Sequence, residues 1–108
     1  MKDEQKLALK ELKLVLSQEL EDNLKEVVLF GSQLSTGTNK DDADFDILII
    51  LKKTADWEML RTISDLCYEV ELRHEIIIDS HILSEEEFNT PRGKQPIFIN
   101  AMKKGLYI

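Results

Sequence analysis

The chain has 108 residues, of which 43% are hydrophobic and 32% charged, as expected for one globular domain. Twenty-one acidic residues against fourteen basic ones give a net charge of −7. Because this charge repels polyphosphates, we expect no direct nucleic-acid binding unless a metal ion or a local basic patch compensates it.

The N-terminal sequence and the cysteine content indicate a cytoplasmic protein. MKDEQKLALKEL lacks the apolar segment of a signal peptide, and no aliphatic run is long enough to span a bilayer. Cys67 is the only cysteine, which excludes an intrachain disulfide framework. We therefore expect one domain over residues 1–108, without membrane contact.

The first half of the chain predicts a helix followed by two strands. Leucines at three- and four-residue spacing indicate an amphipathic helix from Asp3 to about Asn23. The β-branched and aromatic run EVVLFG indicates a strand over Glu26–Gly31. Asp44–Leu51 reads DFDILIIL and is apolar at both parities after its acidic start, which is typical of a central strand covered on both faces.

A second long helix and a third strand follow. The helix is expected from Thr54 to about Arg73. Its predicted buried stripe consists of Trp57, Leu60, Ile63, Cys67 and Val70. The run HEIIID indicates a strand over His74–Asp79. Because a helix connects this strand to the previous one, we expect the two strands to be parallel.

Two shorter helices are predicted near the C-terminus. Ser84 and Glu87 form a capping-box pattern that begins a short helix at about Glu85. Pro96 opens the last helix, which ends in a pair of lysines and a glycine. The order of elements predicts the α/β class, as a small α+β mixed sheet of about three strands with flanking helices.

An acidic stretch precedes the second predicted strand. GSQLSTGTNKDDADFD, residues 31–46, resembles neither of two common ion and phosphate loops. Ile47 and Lys53 stand where an EF-hand calcium loop requires glycine and glutamate. The glycine spacing differs from that of a P-loop, and a strand follows instead of a helix. Asp41 and Asp42 fit an exposed acidic turn.

Asp44 and Asp46 fit a metal site better than an exposed turn. Residues i and i+2 of a strand point to the same face, about 6–7 Å apart. Two carboxylates at that separation repel by about 3 kcal/mol at a protein-surface dielectric. Mg²⁺ removes this repulsion, because it binds one or two protein carboxylates and completes its shell with water and phosphate oxygens.

Three further residues are candidates for the same site. Gly31 and Ser32 end the preceding strand, where a missing side chain and exposed amides let a phosphate approach the backbone. Asp79, at the end of the third predicted strand, is either the third carboxylate of a two-metal site or the cap of the following turn.

These residues resemble the signature of the nucleotidyltransferases of the DNA-polymerase-β-like superfamily. LFGSQLSTGTNKDDADFDILI combines an apolar strand, Gly-Ser, a loop, and Asp-x-Asp at a strand start. Nearly the whole chain is similar to the minimal, MNT-type nucleotidyltransferases, including the final helix QPIFINAMKKGLYI. The resemblance implies a nucleotidyltransferase-like fold.

The resemblance also implies roles for individual residues. Gly31 and Ser32 would bind the triphosphate of ATP, while Asp44, Asp46 and Asp79 would bind two Mg²⁺ ions. Asp79 would also help to activate the attacking hydroxyl. The reaction would transfer AMP to a hydroxyl and release pyrophosphate. The implied partner is a helical HEPN-type toxin, which an MNT-type antitoxin inactivates by adenylylating one of its tyrosines.

Three departures from the family pattern keep other functions open. The family often carries arginines after Gly-Ser, whereas this chain has Gln33–Thr36. The loop is also one residue longer, and Ala43 replaces a serine before Asp-x-Asp. Lys40 or a basic residue of the C-terminal segment would have to replace the missing charge. The alternative function is a catalytically weak or inactive module that neutralises its partner by binding. An antibiotic nucleotidyltransferase would need a further substrate-binding domain.

His81 is a further candidate, two residues after Asp79. It joins the site if the third strand continues past Asp79. Otherwise it is an exposed or hydrogen-bonded turn histidine.

Overall fold

The computed structural model describes residues 2–31 and 44–108. It consists of a mixed sheet with helices on both faces. In chain order the elements are α1 (Asp3–Leu20), β1 (Leu24–Phe30), β2 (Phe45–Leu51), α2 (Trp57–His74), β3 (Ile78–Ser84), α3 (Pro96–Lys104) and β4 (Leu106–Tyr107), with 3₁₀ turns over Glu21–Asn23 and Glu85–Glu87. The strands lie in the order β3-β2-β1-β4. As predicted, β2 and β3 are parallel, and β1 is antiparallel to β2.

The sheet has four strands where the sequence predicted about three. The extra strand is β4, the start of the terminal GLYI segment, which pairs antiparallel with β1 at Val28 and Leu29. This difference leaves the fold class unchanged, and the prediction of a small mixed α/β sheet with flanking helices is confirmed.

Strand β2 is covered on both faces, as its apolar sequence predicted. Its odd-numbered residues from Phe45 to Leu51 pack with apolar residues of α1 and α2. Its even-numbered residues Leu48 and Ile50 pack on the other face with residues of α3. Each such buried aliphatic side chain contributes about 1.5–3 kcal/mol to the stability of the fold.

The predicted stripe of α2 is right in its second half and wrong at its start. Ile63, Cys67 and Val70 are buried, whereas Trp57 is 68% exposed and Leu60 is 43% exposed. At 100° per residue, Trp57 lies about a third of a turn away from the face that Ile63 defines. Met59, four residues before Ile63, packs against the core at that end.

The ends of α2 explain its observed length. The Asp56 side chain caps the helix by accepting a hydrogen bond from the Met59 N–H at 2.8 Å, so the helix begins at Trp57 instead of Thr54. It ends at His74, one residue after the predicted position, and Glu75 follows in a left-handed conformation.

The predicted bounds of β3, His74–Asp79, are wrong and lie about four residues too early in the chain. The first residues of the predicted strand belong to the end of α2 and to the segment that follows it, and the observed strand runs from Ile78 to Ser84. The start is defined by pairing with β2, where Phe45 N–H donates to the Ile77 carbonyl at 2.8 Å. Asp79 is therefore near the beginning of the strand and not at its end.

The C-terminal elements follow the prediction closely. Glu87 accepts hydrogen bonds from the Ser84 N–H and hydroxyl, at 3.0 and 3.1 Å, but the capping box begins only a single 3₁₀ turn. Helix α3 begins at Pro96 as expected. None of the helices in residues 2–31 and 44–108 has the length and hydropathy needed to cross a bilayer.

Candidate active site

Phe30, Asp46 and Asp79 lie side by side on three neighbouring strands, at the edge of the sheet face that α3 covers. The strand register pairs Phe30 with Asp46 and Asp46 with Asp79. Directly paired residues project to the same face of a sheet, so the two carboxylates are neighbours. His81 lies two residues beyond Asp79 in the same strand and therefore shares this face.

The distances confirm that Asp46, Asp79 and His81 form one cluster. One carboxylate oxygen from each aspartate and one ring nitrogen of His81 lie within 4.8 Å of one another. Asp79 Oδ2 and His81 Nε2 are 3.4 Å apart. This spacing allows the three side chains to bind one cation together.

Burial and neighbouring carboxylates both disfavour the charged form of Asp46. Burial raises the pKa of Asp46 above its ordinary value, and the charge of Asp79 raises this pKa further. His81 acts in the opposite direction, while a hydrogen bond with Asp79 and the charge of Asp44 add to the increase. In the part of the chain that the structure describes, no lysine or arginine forms an ion pair with Asp46 or Asp79.

The chemistry of these donors fits a divalent metal. Two carboxylates suit Mg²⁺ or Mn²⁺, and an imidazole nitrogen adds a ligand that Mn²⁺ and other transition metals accept readily. A divalent cation would also remove the repulsion that raises the Asp46 pKa.

Gly31 lies in direct contact with this cluster. Its φ of +81° falls in the left-handed region, and an added Cβ would lie 2.1 Å from Asp46 Oδ2. Only glycine satisfies both conditions, because it lacks a Cβ and adopts positive φ without strain. The backbone of Gly31 therefore directly borders the Asp46 carboxylate.

The other predicted site residues are Asp44, which does not belong to the observed cluster, and Ser32, which the structure does not describe. Asp44 is exposed, precedes β2 and does not belong to the three-residue cluster, although its charge contributes to the raised Asp46 pKa. Ser32 lies outside the described residues, as do Asp41 and Asp42 and the other positions between 32 and 43.

The position of His81 depends on where β3 ends, and the predicted end of this strand was too early. With β3 ending at Asp79, His81 would have been in a turn, whereas the strand continues to Ser84 and brings it onto the site face. The signal in the sequence is the alternation Asp79-x-His81-x-Leu83, because residues at period two share one face of a strand.

A cleft adjoins the cluster on the side of α3. It has a volume of about 370 Å³ and lies between the end of β1 and α3, with Phe30, Gly31, Ile97, Asn100, Ala101 and Lys104 among its lining residues. The Phe30 ring also contacts His81, with ring centroids 5.5 Å apart. Phe30 and Gly31 are thus shared between the cleft and the carboxylate cluster.

Comparison with known proteins identifies the family. A sequence model described as a nucleotidyltransferase domain matches residues 9–108. This chain belongs to the nucleotidyltransferase domain family. The family predicted from the Gly-Ser and Asp-x-Asp pattern is therefore confirmed. A curated relative, a putative protein adenylyltransferase of Methanocaldococcus jannaschii, is 32% identical over 82 residues, which cover 76% of each chain.

Two solved structures have a fold similar to that of this chain. The crystal structure of a mutant of the toxin–antitoxin MntA-HpeT aligns with a TM-score of 0.59 and 19% identity, over 98% of this nucleotidyltransferase and 72% of that chain. The spectinomycin adenyltransferase AAD(9) of Enterococcus faecialis, solved with ATP and spectinomycin, aligns with a TM-score of 0.58 and 16% identity. The match covers 77% of this chain but only 35% of the spectinomycin enzyme. At these identities the two structures show a shared fold.

Proposed function

We propose that this nucleotidyltransferase transfers AMP from ATP to a tyrosine hydroxyl of a partner protein, a HEPN-type toxin, and so acts as a cytoplasmic antitoxin. The observation that carries the proposal is the cluster of Asp46, Asp79 and His81 against the Gly31 backbone. The relative named as a putative protein adenylyltransferase supports a protein acceptor. The toxin–antitoxin structure of the same fold supports a toxin as that acceptor.

The residues of the site have distinct roles in this reaction. Asp46 and Asp79 would hold Mg²⁺, with Asp44 as a candidate for a second ion. When bound there, Mg²⁺ would supply charge neutralisation for the phosphates and for the attacking and leaving oxygens. Gly31, together with Ser32, lets the phosphates approach the backbone next to Asp46.

In the proposed reaction, Asp79 would act as the general base. The tyrosine oxygen forms a bond to the α-phosphorus of ATP, and the bond from that phosphorus to the bridging oxygen breaks, releasing pyrophosphate. Asp79 is the most exposed member of the cluster, with a side chain 55% exposed, so an incoming hydroxyl can reach it. Asp79 would take the hydroxyl proton, and orientation of the reactants contributes most of the remaining acceleration.

Transfer to a cognate toxin tests the proposal directly. Incubation of both proteins with ATP and Mg²⁺ should add the mass of AMP to the toxin, and replacing the acceptor tyrosine by phenylalanine should prevent it. Asp79→Asn should reduce the rate by about 10²-fold or more. Asp65→Asn is a matched control, because Asp65 is an exposed aspartate on α2 outside the cluster. Absence of any mass increase with the wild-type protein would refute the proposal.

Neutralisation by binding alone is the second candidate function. It is favoured by the position of Asp44 outside the cluster and by Gln33–Thr36, which replace the arginines common in the family. A variant with Asp44→Asn and Asp46→Asn separates the two functions. If this variant still neutralises the toxin at equal concentration, binding is sufficient; if neutralisation is lost while the complex still forms, catalysis is required.

A further inference from the structure

The C-terminal part of the chain has a charge opposite to the rest of the protein. Residues 90–108 contain four basic residues and no acidic one, although the whole chain has a net charge of −7. Helix α3 belongs to this basic segment and forms one wall of the cleft beside Gly31. A polyanionic ligand would therefore meet its local positive charge at this wall.

The cleft-facing residues of α3 form one face of the helix. Ile97, Asn100, Ala101 and Lys104 follow the i, i+3, i+4, i+7 spacing that places residues on the same side of a helix. Lys103 does not line the cleft, because its neighbouring position rotates it by 100° around the helix. The two lysines at the end of α3 thus differ in orientation although both are exposed.

Close packing at the end of α3 brings Lys104 towards the Gly31 turn. Gly105 lies against β1 so tightly that an added Cβ would be 2.3 Å from Val28 Cγ1 and 2.9 Å from the Leu29 carbonyl oxygen. The end of the helix therefore rests directly on the strand that leads to Phe30 and Gly31.

The polar groups of the cleft have no partner within the described part of the protein. Across residues 2–31 and 44–108, neither the Lys104 ammonium nor the Asn100 amide takes part in an ion pair or a side-chain hydrogen bond. Phe30, Ile97 and Ala101 supply apolar walls. The combination of apolar walls with a few free polar groups, in about 370 Å³, is typical of a small-molecule site.

We propose that this cleft binds the nucleotide, that Lys104 contacts its phosphates in place of the missing arginines, and that Asn100 contacts the nucleoside. The inference rests on the proposed function, since it assigns the site for its nucleoside triphosphate. Phosphates at Gly31 would lie between the Asp46–Asp79 pair and Lys104, so the Lys104 ammonium would balance charge that the metal does not. The nucleoside would extend from there along Phe30 and Ile97.

Calorimetric titration of the wild-type protein with ATP and Mg²⁺ provides the test, with adenosine and inorganic triphosphate as separate probes. Lys104→Gln should weaken ATP and triphosphate binding by about 10-fold or more, as for the loss of a charge-assisted hydrogen bond, and leave adenosine binding unchanged. Lys103→Gln, the matched control, should change ATP binding by less than about twofold. Asn100→Ala should weaken ATP and adenosine binding alike.

The outcomes distinguish this inference from the proposed function. If the wild-type protein transfers AMP while Lys104→Gln and Lys103→Gln bind ATP equally, the cleft assignment is wrong and the function stands. If the wild-type protein binds neither ATP nor triphosphate, both fail together. Lys104→Arg should retain most of the affinity, and equal loss of affinity in Lys104→Arg and Lys104→Gln would contradict a role for the positive charge. Melting temperatures of all variants check that each is folded.

Discussion

Replacing Gly31 by alanine should damage both the stability and the activity of the protein, for two separable reasons. The φ of +81° costs about 1–2 kcal/mol for a residue with a Cβ. In addition, the new Cβ would be 2.1 Å from Asp46 Oδ2, and ordinary contact begins at 3.4 Å, so the carboxylate has to move by more than 1 Å. Forcing Asp46 away from its rotamer adds about 0.5–1.5 kcal/mol.

The expected total for Gly31→Ala is a loss of about 1.5–3.5 kcal/mol in the free energy of unfolding. For a domain of this size, that corresponds to a melting temperature lower by on the order of 10 °C. If Asp46 holds the metal as proposed, displacing it by about 1 Å should reduce AMP transfer by about 10²-fold. Urea unfolding in the presence of EDTA measures the first effect, and transfer rates with ATP and Mg²⁺ measure the second.

A double-mutant cycle separates the backbone strain from the contact with Asp46. In an Asp46→Ala background, the contacting Oδ2 and Cγ atoms are absent, and only the 3.1 Å approach to the Asp46 Cβ remains. Gly31→Ala should then cost about 1–2 kcal/mol, the strain alone. An equal cost in both backgrounds would refute the contact with Asp46, and a stability unchanged from wild type would refute the whole argument.

Three further predictions concern regions away from the site. Ile63→Ala should lower the free energy of unfolding by about 2–5 kcal/mol, because Ile63 is fully buried, whereas Trp57→Ala should change it by about 0.5 kcal/mol or less; equal costs in urea unfolding would contradict the observed orientation of α2. Burial raises the pKa of the Cys67 thiol to about 11, so the folded protein should not react with a thiol reagent at about pH 8, and labelling faster than global unfolding would contradict this. The Thr54 N–H donates to Glu86 at 2.7 Å and lowers the pKa of that carboxyl, so its stabilisation is present above the ordinary value of 4.5 and is lost as the pH falls through the lower, folded value. The stability difference between wild type and Glu86→Gln should therefore shrink between about pH 6 and pH 3, and a difference independent of pH would show that the hydrogen bond does not depend on the charge.

Local sequence patterns were sufficient to predict the elements that carry strong local signals. The proline and glycine at the two ends of α3 and the Ser84–Glu87 capping box act within a few residues, and the structure confirms both. The apolar run of β2 predicted a strand buried on both faces, because no other position in a small sheet accommodates it. Asp46 and Asp79 were both candidates from the sequence, but the sequence paired Asp46 with Asp44, whereas the register pairs it directly with Asp79.

Features that depend on packing between distant segments could not be predicted from local sequence patterns. HEIIID is rich in β-branched residues, but the start of β3 depends on where Ile78 pairs with Phe45, not on propensity. The same pairing determines that His81 stands beside Asp79 on the site face instead of in a turn. Trp57 belongs to an apolar pattern along α2, but it lies outside the face of the helix that packs against the core.

The amino-acid sequence by itself determined the family, the class of fold and the acidic residues available for metal binding, because these depend on residue type and on spacing along one strand or helix. Only the tertiary structure decided that His81 joins Asp46 and Asp79, that Asp44 lies outside their cluster, and that Lys104 and Gly31 line the same cleft. The physical reason is that Asp46 is far along the chain from Asp79 and His81, and Gly31 is far from Lys104. The relative positions of these residues depend on strand register and on the packing of α3 against β1. The sequence of any single segment does not determine either of them.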